Sequence, residues 1–428
     1  MRRKKGRERR IETVDLTVES LGAQGDGVAR WLGKPVFLPF TVPGERIRAE
    51  IGAARGSGRE GRVVERFAPG PARAEPVCGH FGRCGGCALQ HLAAADYQAV
   101  KLGALQAALR RAGLDPAVVA PLRTVPSGRR RVRLGLSRSR DPRGPVLIGF
   151  RERFSHQLVD LRACAVMEPA IFALIEPLRR IASALLPPGA TGNAVITRCD
   201  SGHDLLIEYA APPSLAALEA LAGVAQEHDL ARIVWRCGDG DVPVVERRPA
   251  RVIFSGVPVF LPPGGFLQAS AAAEALLVKE VVVAAGERRP VVDLYAGLGT
   301  FTFALAQAGA VHAVEGDAAA MDALARAASG FPNVTAERRD LDRDPVSGKE
   351  LEGYAAAVFD PPRAGAHRQA AALANSKIET VIAVSCNPAT FARDAGCLVA
   401  GGLRLERLVP VDQFVWTPHL ELVAAFQR

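Results

Sequence analysis

The chain has 428 residues, 48% of them hydrophobic, which suits two to four domains with sizeable cores. No apolar run approaches the roughly 18–20 residues of a membrane span, and no apolar segment follows the basic N-terminus as in a secretory signal, so a cytoplasmic protein is expected. The net charge of +9 comes mostly from residues 1–10, MRRKKGRERR, with seven basic residues and one acid, which excludes a strongly basic body and leaves an arm that either contacts phosphates or is merely solvated.

Five short strands are predicted, at 12–20, 27–32, 34–39, 45–51 and 61–67, separated by Gly-rich turns such as Gly22-Ala-Gln-Gly25-Asp-Gly27. Such closely spaced strands suggest a small closed barrel of the OB type over residues 11–68. The strand bearing Gly27-Val28-Ala29 and the turn Pro43-Gly44-Glu45 resemble the TRAM domain of RNA-modifying enzymes.

A Pro/Ala-rich linker at 69–76 leads into Cys78-Gly-His-Phe-Gly-Arg-Cys84-Gly-Gly-Cys87, with the spacing C-x5-C-x2-C. Eight cysteines in a long cytoplasmic chain point to metal or catalysis before disulfides. Three thiolates this close need a fourth, and Cys164, 77 residues after Cys87, is the candidate. Zinc and a 4Fe–4S cluster both accept four cysteines, and spacing does not separate them. A C-x3-C-x2-C run is absent, which lowers a radical mechanism.

Helical periodicity over 89–114 ends at Gly113-Leu-Asp-Pro116, and this segment is a candidate to pack on a later domain. In Arg129-Arg130-Arg131-Val132-Arg133-Leu134 the alternation places Arg131 and Arg133 on one strand face, suited to phosphates or simply solvated. Strands at 146–151, 157–161, 193–197, 205–210 and 233–235 and helices at 168–186 and 214–228 complete an α+β central domain over 69–253.

The last domain, 254–428, carries Phe266-Leu-Gln268-Ala-Ser270 before a helix at 270–285 with Ser270 as N-cap. Val291-Val-Asp293-Leu-Tyr295-Ala-Gly297-Leu-Gly299-Thr300 reads as a strand, a Gly-x-Gly turn and a helix start, a ligand site at a topological switch point. Glu315, 22 residues after Asp293, ends the next strand where an acid commonly accepts ribose hydroxyls. Phe303 falls near the place of the third dinucleotide glycine, and no Lys-Ser/Thr follows, so the turn favours S-adenosylmethionine over NAD or a Walker nucleotide. Asp340 is either an adenine contact or a solvated acid.

A further strand ends in Asp360-Pro-Pro-Arg363-Ala-Gly365, whose prolines hold the chain extended. The apolar run 378–384 ends in Ser385-Cys386-Asn387-Pro388. Alone, Cys386 reads as a core thiol. Beside the cofactor turn it reads as a nucleophile for a ring carbon too weak to attack a methyl donor unaided. Such a reaction needs a base to remove a proton afterwards, and Glu421 in Val415-Trp-Thr-Pro-His419-Leu-Glu421 is the candidate, a surface strand acid being the plain alternative.

Taken together, the C-x5-C-x2-C cluster, FLQAS, DLYAGLGTF, DPPRAG, SCNPATFARD and HLELV resemble the bacterial RNA (uracil-5-)-methyltransferase family, in its iron–sulfur-containing ribosomal RNA branch. The resemblance implies a multidomain α/β protein with a TRAM barrel, a central domain holding the four-Cys cluster, and a Rossmann-like class I methyltransferase domain. It implies Cys386 as nucleophile and Glu421 as base, with Gln268, Tyr295, Thr300, Glu315, Asp340 and Asp360 contacting S-adenosylmethionine. It implies Cys78, Cys84, Cys87 and Cys164 as ligands of a 4Fe–4S cluster, and Phe266 against an RNA base. Arg131, Arg133 and Arg363 are further candidate RNA contacts. Ser270, where the family more usually has Asn, and Thr300 are departures. The expected activity is uridine C5 methylation of 23S ribosomal RNA by a monomer. Transfer RNA is the alternative substrate, and a zinc-bearing RNA-binding protein or a radical or redox enzyme are the readings of other classes.

Overall fold

The computed structural model describes residues 12–153, 155–238 and 240–428; the basic arm at 1–10 lies outside them. The chain forms two compact units. One runs to Gly82 and takes in Gly86–Ala104 and Trp416–Pro418; the other comprises Arg83–Gly85, Leu105–Val415 and His419–Arg428. No helix among the described residues is long and apolar enough to cross a membrane.

The first unit is built on a six-stranded sheet in the order Glu12–Thr17, Arg46–Arg55, Gly58–Ala68, Lys34–Leu38, Gly27–Trp31, Ser20–Leu21. The segment predicted as one strand over 12–20 is two, and the break closes the barrel. Val18 N donates to Glu45 O, whereas Glu19 N donates to Val28 O, so the chain passes from one sheet edge to the other. Strict alternation sends Ile47, Ala49 and Ile51 inward with Leu16, Ala29, Val36 and Leu38. Gly61 is required there, because a Cβ would come within 2.5 Å of Leu38.

Within the second unit, a seven-stranded sheet runs Leu158–Asp160, Val146–Arg151, Arg131–Arg138, Thr191–Cys199, Gly202–Glu208, Arg232–Cys237, Gly240–Glu246. Val132, Leu134 and Leu136 turn toward helices Ile175–Leu185 and Leu215–Glu227. The helix predicted at 168–186 is interrupted after Phe172 and restarts at Ile175. Pro177 lacks the N–H that would bond back to residue 173, so it is accepted only in a first turn.

An eight-stranded sheet follows in the order Val334–Arg338, Val311–Glu315, Val291–Leu294, Ala356–Phe359, Thr380–Ser385, Glu421–Gln427, Arg404–Asp412, Arg123–Thr124. All pairings are parallel except those of Glu421–Gln427, which is antiparallel to both neighbours. Its central strands are mostly apolar, with Asp293 a buried exception, because both faces are covered. Val291, Val358, Ile382 and Val384 pack on one face, and Val292, Leu294, Phe359, Val381 and Ala383 on the other. Leu105, Leu109 and Leu114, at the end of helix Ala94–Arg111 and just beyond it, join the second face. The parallel strands therefore end together at one edge, and the antiparallel strand begins there.

In the barrel unit, Glu45 is 0% exposed and is paired with Arg73 at 2.5 Å and Arg66 at 2.9 Å. Burial alone would raise its pKa, but Arg73, the Val42 amide and Arg66 outweigh burial and hold it below the usual carboxylate range. Its stabilisation is thus present above the unfolded-state pKa and is lost as pH falls through the folded one. Glu45→Gln is expected to destabilise the unit by about 1–3 kcal/mol at pH 7. Thermal unfolding against pH should show that gap closing below about pH 4.

Candidate active site

Cys386 follows the last residue of Thr380–Ser385 and precedes helix Pro388–Ala400. Asn387 caps that helix, accepting from Ala389 N at 3.1 Å, and Pro388 fills a first-turn position that needs no donor. The thiol is thereby fixed between a strand end and a helix start. Asn387 Nδ2 and Thr390 Oγ1 donate to the Arg363 carbonyl, at 3.1 and 3.3 Å, and so bind the Asp-Pro-Pro-Arg loop to the cysteine turn. Arg363 Nη2 lies 3.2 Å from the ring nitrogens of His419.

Glu421 opens the antiparallel strand, paired with Val411 on one side, and its neighbour Leu422 pairs with Ser385 on the other. It is 3% exposed. Gln413 Nε2 donates to Glu421 Oε2 at 2.5 Å and to Gln268 Oε1 at 3.0 Å. Gln268 Nε2 in turn donates to Asp360 Oδ2 at 3.3 Å. The backbone of the Gln268 loop is held by Arg130, whose Nε donates to Gln268 O at 3.2 Å and whose guanidinium pairs with Glu274. Two side-chain amides thus join the buried Glu421 carboxyl to the half-buried Asp360 carboxyl at the carboxyl edge of the sheet.

Burial, then the charge of Asp360, raises the Glu421 pKa well above the ordinary glutamate value, against the Gln413 hydrogen bond. Burial, then Asp293, raises Asp360 likewise, against the hydrogen bond from Gln268. The Cys386 thiol is pushed up to about 11 by burial, Glu421 and Asp360, with Arg363 pulling the other way. In the free protein the thiol is therefore protonated at neutral pH.

The glycine turn lies along the same edge. Asp293 is fully buried, and burial pushes its pKa up to about 7. Its Oδ2 accepts from Thr302 Oγ1 at 2.6 Å, while its Oδ1 has no partner among the described residues. Gly297, at φ +56°, has open space where a Cβ would stand; Gly299, at φ +94°, would instead meet Phe303 at 2.5 Å. One glycine keeps room for a ligand and the other permits packing, with Thr300 next to it. Glu315 accepts from Gly297 N at 2.9 Å and Asp317 N at 2.7 Å, so its carboxylate stands under the turn with lone pairs to spare. Tyr295 adopts φ +60° and donates to Asp342 at 3.1 Å. Asp340 Oδ1 accepts from Asp342 N at 3.1 Å and Arg343 N at 3.3 Å, within its own turn. An orphaned buried oxygen, an open glycine and strand-end acids suit an adenosyl cofactor.

Residues 261–428 match the family described as tRNA (Uracil-5-)-methyltransferase, and residues 7–64 match the TRAM domain. An RNA methyltransferase of Caulobacter vibrioides is 43% identical over 97% of this chain and 100% of its own length. The 23S rRNA (uracil(1939)-C(5))-methyltransferase of Chromohalobacter salexigens is 35% identical over 100% of this chain and 93% of its own. The chain belongs to the RNA (uracil-5-)-methyltransferase family. The crystal structure of Pyrococcus abyssi tRNA (uracil-54, C5)-methyltransferase with S-adenosyl-L-homocysteine superposes with a TM-score of 0.74 at 25% identity, covering 96% of this chain and 99% of that one. The expected TRAM barrel and class I methyltransferase domain, and S-adenosylmethionine as cofactor, stand accordingly.

The other expected residues of this RNA methyltransferase have the following surroundings. Arg131 and Arg133 do share a sheet face, but Arg131 Nη2 donates to Gly264 O at 2.8 Å and Arg133 pairs with Glu208 at 2.5 Å. Phe266 is 68% exposed, two residues before Gln268. Cys78 and Cys87 belong to the first unit, and Cys84 and Cys164 to the second. Cys84 is buried beside the apolar core of the central sheet, with Cys164 packed against that core. Among the described residues, no three His, Cys, Asp or Glu are grouped to hold a metal. Gln413 and Asp342 were not anticipated; the only signal for Gln413 was a polar residue closing the apolar run Leu408-Val-Pro-Val411.

Peptide-resolved alkylation of Cys386 by iodoacetamide in the free protein is expected to rise with pH toward a midpoint near 11. In Glu421→Gln, which removes a neighbouring negative charge, that midpoint should fall by about one unit.

Proposed function

We propose that this chain methylates C5 of a uridine in 23S ribosomal RNA, with Cys386 as nucleophile and Glu421 as base. The meeting of a half-buried thiol and a buried, amide-held carboxyl beside the glycine turn carries the reading. Cys386 gives up its thiol proton to solvent, and addition of the thiolate Sγ to uracil C6 moves the C5=C6 electrons onto C5 and makes it nucleophilic. The bound cofactor supplies an electrophilic methyl group on a positively charged sulfonium. Gln268, Tyr295, Thr300, Glu315, Asp340 and Asp360 are its proposed contacts. Once C5 is methylated, Glu421 removes the C5 proton, the C5–H electrons restore C5=C6, and the Cys386 thiolate leaves C6.

The target base must leave its stack to reach a thiol at a strand end. Phe266 is proposed to stack on RNA, and Arg363, Arg131 and Arg133 to meet its backbone. For Arg131 and Arg133 this requires exchanging the Gly264 and Glu208 contacts for phosphate. The full-length likeness to a 23S rRNA enzyme favours ribosomal RNA. The superposition on a transfer RNA enzyme keeps that substrate as the second reading. On spacing alone, Cys78, Cys84, Cys87 and Cys164 are proposed to bind a 4Fe–4S cluster or zinc. No step of the reaction depends on it, and metal analysis of anaerobically purified protein decides it.

RNA carrying 5-fluorouridine tests the chemistry, because fluorine cannot be removed as a cation. A covalent RNA–protein complex that survives denaturation is expected with the wild type and none with Cys386→Ala. Methyl incorporation into 23S transcripts but not transfer RNA is expected in parallel. Active enzyme that forms no complex would sink the nucleophile assignment.

A further inference from the structure

Gln413 is 6% exposed and uses both ends of its amide. Its Oε1 accepts from Ala269 N at 3.1 Å, while its Nε2 donates to Gln268 Oε1 at 3.0 Å and to Glu421 Oε2 at 2.5 Å. The acceptor bond to a backbone N–H fixes which end of the amide faces the carboxyl, so Glu421 always meets a donor. The residue leaves the end of Arg404–Asp412, a strand paired with that of Glu421, so its place is set by the sheet and not by a loose loop.

We propose that Gln413 is a positioning residue for Glu421, holding one carboxylate oxygen so that the other is presented, unprotonated, to the C5 proton of the methylated adduct. The inference rests on Glu421 being the base. In the step concerned, the C5–H bond breaks and its proton goes to Glu421. The bonding pair becomes the C5=C6 bond, and the C6–S pair returns to Cys386. A neutral donor on the carboxylate favours its charged form without adding a positive charge that would lock it. The charged and titratable groups facing Glu421 are Asp360 and Cys386, with Asp293 behind Asp360 and Arg363 beside Cys386. Among these groups the cation, Arg363, acts on the thiol. Gln413 is thus the group bonded to Glu421 that favours its ionised form.

The test uses RNA with uridine tritiated at C5 and a separately labelled methyl donor, in single-turnover reactions across pH. Methyl transfer and tritium release then report the two halves of the reaction. Gln413→Met, similar in size but without a donor, is expected to slow tritium release about tenfold at neutral pH, with methyl transfer less affected. Its acid limb should move up by about one pH unit. Gln413→Glu, which sets a second acid against Glu421, should move the limb in the same direction and further. The proposal is overturned if either variant, folded by its melting curve, keeps the wild-type limb. Equal slowing of both labels with no movement of the limb, the mark of a structural role, overturns it too. Glu421→Gln is the control for the underlying reading. It should accumulate methylated covalent adduct, and release of tritium at the wild-type rate would remove Glu421 as base and this proposal with it.

Discussion

Asp293 and Glu421 are buried and Asp360 half-buried along one sheet edge, where Asp293 raises the pKa of Asp360 and Asp360 raises that of Glu421. Removing a carboxylate from water costs several kcal/mol even after relaxation. The chain meets that cost in two ways. Glu45 is buried against two arginines and is held ionised. Among the described residues, Glu421 and Asp360 receive side-chain amide donors and Asp293 a hydroxyl. Neutral donors satisfy lone pairs without cancelling charge, so these acids stay close to exchanging protons. That difference separates an acid that holds a barrel together from acids proposed to serve chemistry.

The sheet brings these groups together. Parallel strands deliver their carboxyl ends to one edge, here Tyr295, Glu315, Asp360 and Cys386. An antiparallel strand inserted beside Thr380–Ser385 contributes its beginning to the same edge, so Glu421 needs no long loop to arrive. The strand before it ends at Asp412 with Gln413 next, again at that edge. Local backbone strain collects here as well. Tyr295 at φ +60° costs about 1–3 kcal/mol, and its bond to Asp342 and the packing around it must offset that.

Much of this was legible in the sequence, for local reasons. A β-branched run broken by Cys-Asn-Pro announces a strand end, and Gly-x-Gly after Asp293 announces a turn with room beside it. Gln413 was not legible, because its meaning lies in Ala269 and Gln268, some 140 residues away. Arg131 and Arg133 show the converse. Their alternation placed them on one face, as the structure has it, but the partners Gly264 and Glu208 come from other strands and loops. The strand at 12–20 was read as one because composition does not reveal where a strand changes partners. The four cysteines were legible as a pattern of spacing, while the apolar neighbours of Cys84 and Cys164 come from strands and helices distant in sequence.

In the proposed reaction the thiol and the base impose opposite demands on one small space. Cys386 must lose a proton to attack, yet Glu421 and Asp360 both hold that proton on the sulfur when they are charged. Glu421 must be charged later, yet a thiolate beside it would oppose that. The conflict is eased if the two negative charges do not coincide. While sulfur is bonded to C6 it carries no charge, and that is the interval in which Glu421 acts. When sulfur is released as thiolate, Glu421 has just taken up a proton. In the adduct the negative charge can therefore rest on the carboxylate, favoured by Gln413, and on release it rests on sulfur, favoured by Arg363. An arginine in place of Gln413 would hold the charge on Glu421 throughout, so a neutral amide fits the proposed sequence better.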